Sequence, residues 1–278
     1  MLWVPQKGSV LYQHNTGGVG NLTVGTTVTT GASSGTKGSA TQLISSTNFD
    51  SYWVKVIASN YGVSATASQG SLDILVGASG QERVLIPDLL MGYCGALGAA
   101  ISMPKVWEFP LYIPAGTRIS AQAAGARTSA GVDIAVFLYG GNACPPFRVG
   151  SKVVTYGVSA VPDGTSITTG VSGAEGSWTQ IVASTTEDHF ALVPSFQPSA
   201  TTNITSRVYY LDIGLGAATE EEIAQSFIYE QDLGEHLGGP INTMPCFQDI
   251  PSASRLSLRV STNGSPSNTT NCAIHAVS

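Results

Sequence analysis

The amino-acid sequence predicts an all-β protein: two tandem jelly-roll-like antiparallel β-sandwiches from an internal duplication, with a short helix in the second. Three observations carry this. First, one stretch occurs twice. Residues 25–47, GTTVTTGASSGTKGSATQLISST, return as residues 164–185, GTSITTGVSGAEGSWTQIVAST. The ordered match of Thr41-Gln42-Leu43-Ile44 to Thr179-Gln180-Ile181-Val182 is hard to obtain from biased composition. Self-similarity at a fixed offset marks a repeated structural unit. Second, matches continue at an offset near 138. Leu72-Asp73-Ile74 returns as Leu211-Asp212-Ile213, and Ile113-Pro114-Ala115-Gly116-Thr117-Arg118 as Ile250-Pro251-Ser252-Ala253-Ser254-Arg255. Third, the chain is poor in charge, at 11%, and holds 32 Gly among many Val, Ile, Ser and Thr. That mixture favours strands and turns over helices.

Taken in order, residues 1–18 read as an N-terminal arm. Its Val10-Leu11-Tyr12 suits a strand that pairs with a neighbour or forms the first edge of the following unit, and Asn15-Thr16-Gly17-Gly18 suits a turn. Residues 19–141 form the first sandwich. Val28-Thr29 and Leu43-Ile44 sit between Gly-rich punctuation and read as strands. Residues 52–58, YWVKVIA, are the best strand of this unit, with His189-Phe190-Ala191-Leu192-Val193 as counterpart. Leu72–Gly77 and Tyr210–Gly216 are the next matched pair.

After each of those strands stands a hydroxyl with Glu three residues on, Ser79…Glu82 and Thr219…Glu222. This capping-box pattern predicts a helix start. Pro87 cuts it short in the first unit, so the helix is expected only in the second, over Ile223, Ala224, Phe227 and Ile228. A Pro-Ala-Gly bend at 114–116 then releases a strand, and Val132–Tyr139 and Cys272–Val277 close the two units. Residues 142–150, with Pro145-Pro146, are a stiff linker, and residues 151–278 form the second sandwich. Closing strands of core character favour Greek-key over meander order.

Composition narrows function. A net charge of −6, with five Lys and seven Arg scattered along the chain, argues against nucleic acid. The longest mild apolar run, Leu89 to Ile101, is broken by glycines and is too short to span a membrane. Cys94, Cys144, Cys246 and Cys272 occupy unmatched positions in the two units and lack metal-ligand spacing, so free thiols and no metal are expected.

No catalytic set assembles in sequence. His14, His189, His236 and His275 are isolated, Glu220-Glu221-Glu222 lacks the alternating ligands of a calcium loop, and phosphate-loop and nucleophile-elbow motifs are absent. No cofactor and no enzymatic activity are expected. Each unit instead carries an Asp inside an apolar strand and an Arg after the Pro bend. The expectation is a pair of half-buried ion pairs, Asp73–Arg118 and Asp212–Arg255, because an uncompensated buried charge costs several kcal/mol. Trp3, Tyr12, Trp107 and Trp178 fall in or near loops and are candidate interface aromatics.

Tyr52-Trp53-Val54, residues 72–77 (LDILVG), 109–119 (FPLYIPAGTRI) and 136–141 (VFLYGG) resemble a module of tailed-bacteriophage virion proteins. The resemblance covers nearly all of the first unit and loosens in the second, where Pro114-Ala115-Gly116-Thr117 has become Pro251-Ser252-Ala253-Ser254. It implies a virion structural protein and leaves open which part of the particle. The favoured reading is a head decoration or cement protein that forms a homo-oligomer, a trimer as such modules do, on the major capsid protein. The alternative is a tail-tip or fibre protein, partnered by tail proteins, that recognises a host surface glycan or protein. The N-terminal MLWVPQKGSV lacks signal-peptide features, which fits synthesis in the host cytoplasm and assembly into particles there. A polysaccharide-cleaving enzyme ranks last, for want of paired carboxylates.

Overall fold

The computed structural model describes residues 11–15, 25–59, 61, 69–92, 104–141, 147–171, 173–198, 207–216, 219–231, 241–263 and 269–278. These residues hold strands and no helix. The first half contributes β1 (Leu11–His14), β2 (Thr26–Thr29), β3 (Thr41–Ile44), β4 (Ser51–Ser59), β5 (Gly70–Val76), β6 (Arg83–Leu90), β7 (Lys105–Phe109), β8 (Ile119–Gly125) and β9 (Gly131–Gly140). The second half contributes β10 (Val153–Tyr156), β11 (Thr165–Thr168), β12 (Thr179–Val182), β13 (His189–Pro198), β14 (Arg207–Leu215) and β15 (Glu221–Gln231). It continues with β16 (Ile241–Thr243), β17 (Cys246–Ile250), β18 (Leu256–Thr262) and β19 (Thr269–Val277).

Each half pairs its strands in the same order. In the first, one sheet runs β1-β9-β4-β7, with β2 also on β9, and the other runs β3-β8-β5-β6. In the second, the sheets run β10-β19-β13-β17, with β11 also on β19, and β12-β18-β14-β15. All these pairings are antiparallel. Irregularities recur in step. The register slips between Gln42 and Ile44 on β3 and between Gln180 and Val182 on β12. β16 departs from the pattern: it comes from the second half yet pairs in parallel with β7 of the first.

Alternation places the cores. On β9, Val132, Ile134, Val136 and Leu138 are buried and join Val54, Val56 and Phe109 of the same sheet. Leu72, Ile74, Ile86 and Ile119 of the other sheet complete the same apolar cluster. Period-two side-chain direction is what lets one face of each strand do this. A second cluster gathers Ile167, Leu192, Phe196, Leu211, Ile213, Leu256, Leu258 and Ile274. The two are not insulated from each other. Val153, Ala191, Val193 and Val277, from the outer face of the second half's sheet, belong to the first cluster.

The helix expected after Thr219 is instead β15, an edge strand paired along β14 from Leu215↔Glu221 to Arg207↔Gln231. The first half does the same with β6 after a tight turn, Gln81 N–H to Ala78 O at 2.9 Å. The capping-box glutamates are taken by strand partners: Glu82 by Arg118 and Glu222 by Arg259. An open ladder edge on β14 and two cross-strand arginines outweigh a local helix preference that is worth only tenths of a kcal/mol per residue.

The Pro bend is clamped alike in both halves. The Thr47 hydroxyl donates to Pro114 O at 2.7 Å, and the Thr185 hydroxyl to Pro251 O at 2.9 Å. Thr47 O accepts from Gly116 N–H, and Thr185 O from Ala253 N–H. Both bend residues have positive φ, +80° for Gly116 and +63° for Ala253, so the second half places a Cβ where the first has none.

Candidate functional site

The four charged residues singled out in sequence are all held in ion pairs, but with other partners. Arg118 Nη1 meets Glu82 Oε1 at 2.6 Å and its Nε donates to Gln42 Oε1 at 3.0 Å. Arg255 repeats this with Glu220 at 2.8 Å and Gln180 at 3.1 Å. The repeated Thr-Gln stretch therefore exists in part to hold an arginine. Its own amide and the Arg118 guanidinium hold the Glu82 carboxyl below its ordinary value. Register explains the error. Asp73 stands opposite Gln122, while Arg118 stands beside Gly77, four residues on from Asp73 and just past the end of β5. At about 3.3 Å per residue that separation is too great for a contact.

Asp73 and Asp212 anchor a second cluster whose charges differ between halves. Asp73 is buried and takes Lys37 Nζ at 2.8 Å and Gln122 Nε2 at 2.8 Å; Lys37 also bridges to Asp88 at 2.7 Å. In the second half the position of Lys37 holds Glu175 and that of Gln122 holds Arg259. Arg259 Nε meets Asp212 Oδ2 at 3.0 Å, and its Nη2 meets Glu175 Oε2 at 2.6 Å and Glu222. Trp178, at the position of Ala40, lies 4.4 Å over the guanidinium. Desolvation raises the Glu175 carboxyl, with the Asp212 and Glu222 charges adding to it and Arg259 opposing. Oxygens of Glu175, Asp212 and Glu222 lie within 4.8 Å of one another, as metal ligands would. The guanidinium is bonded to all three, so an arginine supplies the positive charge there.

The seam between the halves is the most elaborated polar site among the described residues. His275 is buried on β19. Thr155 on β10 donates its hydroxyl to Pro87 O on β6 at 2.6 Å, so Thr155 Oγ1 accepts from His275 Nδ1–H at 2.8 Å. Nε2 is then bare and accepts from the Ser195 hydroxyl at 2.8 Å, while Ser195 Oγ takes Leu90 N–H at 3.4 Å. The chain of bonds starts and ends on β6. Burial pushes the His275 imidazole down to about 3, so it is neutral at physiological pH. Gln197 adds a second clasp. Its Oε1 accepts from Gly70 and Gly92 N–H at 3.0 and 3.1 Å, and its Nε2 donates to Pro162 O at 2.6 Å. Lys105, also buried, donates to carbonyls of Leu90 and Phe196, one from each half. None of this was visible in sequence, because the polar residues are spread over four strands of alternating apolar character.

Of the interface aromatics, Trp3 lies outside the described residues. Trp107 faces the first core and is buried, because its alternation on β7 points it inward beside Phe109; it is not an interface residue. Trp178 is half-buried over Arg259. Tyr12 is 65% exposed and stacks on His14 at 5.7 Å, with Phe137 a further 5.4 Å from His14. Sequence reading missed a second aromatic group. Trp53 packs against Phe147 at 5.3 Å and Phe247 at 6.5 Å, next to a cleft of about 560 Å³ lined by Tyr52, Tyr112, Phe147, Arg148 and Phe190. Cys246 is half-buried and Cys272 buried, both as free thiols pushed up by burial; Cys94 and Cys144 lie outside the described residues.

No family model matches the chain. No curated protein matches it. Among solved structures, a chain of "Structure of infectious bursal disease virus Gx strain" aligns over 99% of this chain and 74% of its own. It does so at 10% identity with a TM-score of 0.22. A likeness at that score carries no argument, and the functional reading rests on the chain itself.

Proposed function

We propose that the protein is a non-enzymatic structural component of a bacteriophage virion, a head decoration or cement protein whose two halves are jelly-roll-like sandwiches descended from one duplicated unit. The strand order supports the fold reading: two four-stranded sheets around one core, β2-β9-β4-β7 and β3-β8-β5-β6, is the arrangement of an eight-stranded jelly roll. The recurrence of that order, of its bulges and of the clamped Pro bend in β10–β19 supports duplication. The observation that carries the functional reading is the seam. A buried, fully bonded junction makes the two halves one rigid block, which suits a load-sharing surface element. Densitometry of purified particles tests this. Hundreds of copies per particle, with heads that lose heat resistance when the protein is missing, are expected; a few copies and unchanged heads refute it.

The aromatic cleft at Tyr52, Tyr112 and Phe147, with Arg148 beside it, favours a second reading: a tail-tip or fibre protein that binds a host surface glycan or protein. That reading expects saturable binding of the purified protein to host cells, lost on Tyr112→Ala.

A further inference from the structure

The two tyrosines of the aromatic cleft have counterparts in the second half. Strand register equates Tyr52 with Phe190, which lines the same cleft, and Tyr112 with Asp249. In the first half the Tyr112 ring lies on the Tyr52 ring, 5.8 Å between centroids and 26° between planes. In the second half Asp249 offers no ring to lie on Phe190. Arg148, from the linker, covers it: the guanidinium sits 4.6 Å over the Phe190 ring, and Nη1 meets Asp249 Oδ1 at 3.3 Å. Each half thus brings to the cleft an aromatic ring covered by a second flat group.

The linker that lines the cleft between them is bonded to both halves. Gly150 N–H donates to Pro110 O, and Gly150 O accepts from Tyr112 N–H, both at 2.8 Å. Ser151 and Lys152 N–H donate to Ser278 O at 2.9 and 3.2 Å. A Cβ on Gly150 would fall 2.5 Å from Val277 Cγ1 and 2.6 Å from Ser278 O, so only glycine lets the linker lie this close to the second half. The cleft is therefore preformed, which lowers the ordering cost of binding. Its volume of about 560 Å³ suits a small ligand or one short segment of a larger one.

The charges around it are matched. Arg148 is paired with Asp249, Lys152 with Glu187 at 2.8 Å, and Asp50 accepts from Ala115 N–H at 2.8 Å. A ligand carrying its own charge would have to break a pair or lie beside a like charge. An uncharged ligand rich in hydroxyls can draw on both signs. Among the described residues Asp249 is the only polar partner of the Arg148 fork, whose other N–H groups are left to donate. The Arg148–Asp249 pair is exposed, 61% and 88%, and such pairs are weak enough to turn toward a ligand. Tyr112, 40% exposed, supplies a ring face and a hydroxyl together. A sugar ring matches this set, with C–H groups for the aromatic face and hydroxyls for the polar edge.

We propose that the cleft binds a neutral saccharide, a hexose or N-acetylhexosamine unit of a longer glycan, with its ring against Tyr112 and its hydroxyls on Arg148 and Asp249. This rests on the second reading above and chooses an uncharged glycan over a protein or an acidic sugar.

Titration of the purified full-length chain with oligosaccharides of glucose, galactose, mannose and N-acetylglucosamine tests it, read by calorimetry and by tryptophan fluorescence. Sialyllactose and a hexuronate oligomer are the acidic comparators. Trp53, 5.3 Å from Phe147 of the cleft lining, is the expected reporter. Saturable binding of at least one neutral series is expected, weakened about tenfold or more by Tyr112→Ala and by Arg148→Ala. Arg148→Lys keeps the charge and loses the planar fork, and should weaken binding as much as Ala does. Circular dichroism should be unchanged in all three, and Tyr210→Ala, at an exposed ring outside the cleft lining, should bind as wild type does. Absence of binding by every neutral series overturns the inference. So does binding of the acidic sugars alone, or binding that survives both Ala variants. Host-cell attachment separates this from the broader reading. Attachment lost on Tyr112→Ala with no sugar bound overturns the inference and keeps the reading; sugar bound by a protein that does not attach to cells keeps the inference and removes the reading.

Discussion

Asp212 and Arg259 face each other across β14 and β18, 3.0 Å from Oδ2 to Nε, at the register where the first half sets Asp73 against Gln122. The cation on the buried carboxylate comes from Lys37, in the loop before β3, in the first half and from the neighbouring strand in the second. The loop position of the second half holds Glu175. The two differences compensate: each half has a positive group on its aspartate, provided by a different element.

Removal of Arg259 alone should therefore be severe. Arg259→Gln leaves Asp212, Glu175 and Glu222 together without a cation, and about 3 kcal/mol or more of stability should be lost in urea unfolding. Arg259→Gln with Glu175→Lys rebuilds the arrangement of Lys37 and Gln122 and should recover most of that loss. Failure of the double variant to exceed the single one would show that the two positions are not coupled.

Ala253 occupies a positive-φ bend that Gly116 fills in the first half. A left-handed conformation costs an L residue about 1 kcal/mol relative to glycine. Ala253→Gly should raise stability by that order, and Gly116→Ala should lower it by as much, both read as shifts in denaturation midpoint. Open space around the Gly116 Cβ position leaves backbone conformation as the cause.

Acid should loosen the seam. His275 is neutral in the folded chain, held near 3 by burial, whereas an unfolded imidazole titrates near 6.5. The unfolded state binds the extra proton, so this contribution is complete above about pH 6.5 and is lost as pH falls toward 3. The loss approaches about 1.4 kcal/mol per pH unit. His189, also lowered by burial, acts in the same direction. Melting temperature should fall from pH 7 to pH 4.5, and His275→Gln should remove about one proton from the slope while lowering stability at pH 7.

Gln197 serves three backbone groups at once. Gln197→Leu should strand two amides and one carbonyl in a dry junction, at about 1–3 kcal/mol each. An equilibrium loss of at least about 3 kcal/mol is expected. A loss below 1 kcal/mol would mean that water reaches the seam.

Sequence periodicity made much of the fold legible. The doubled Gly-Thr stretch, the Leu-Asp-Ile strands and the Pro bends all mark equivalent strands and turns, and Tyr52–Ala58 lies within β4. The region after Thr219 reads as a helix because a Glu-rich start looks the same whether its carboxylates face helix amides or cross-strand arginines. The ion pairs were half legible. That each Asp and Arg needs a partner follows from burial, but which partner depends on register, which sets Gln122 and Arg259 opposite the aspartates. Gln42 and Gln180 stand out in sequence as a repeat but not as arginine acceptors, and the difference between Lys37 and Glu175 finds its complement at 122 and 259 only through strand pairing. The His275 chain was not legible at all, since it is built from one side chain each on β10, β13 and β19 and two backbone groups on β6.

β16 crosses from the second half to lie along β7, with Ile241, Asn242 and Thr243 beside Lys105, Val106 and Trp107. It blunts a strand edge that would otherwise be open to foreign chains. It also means that a protease cut between the halves releases nothing: the nicked polypeptide should still elute and melt as a single body, with the fragments parting only in denaturant.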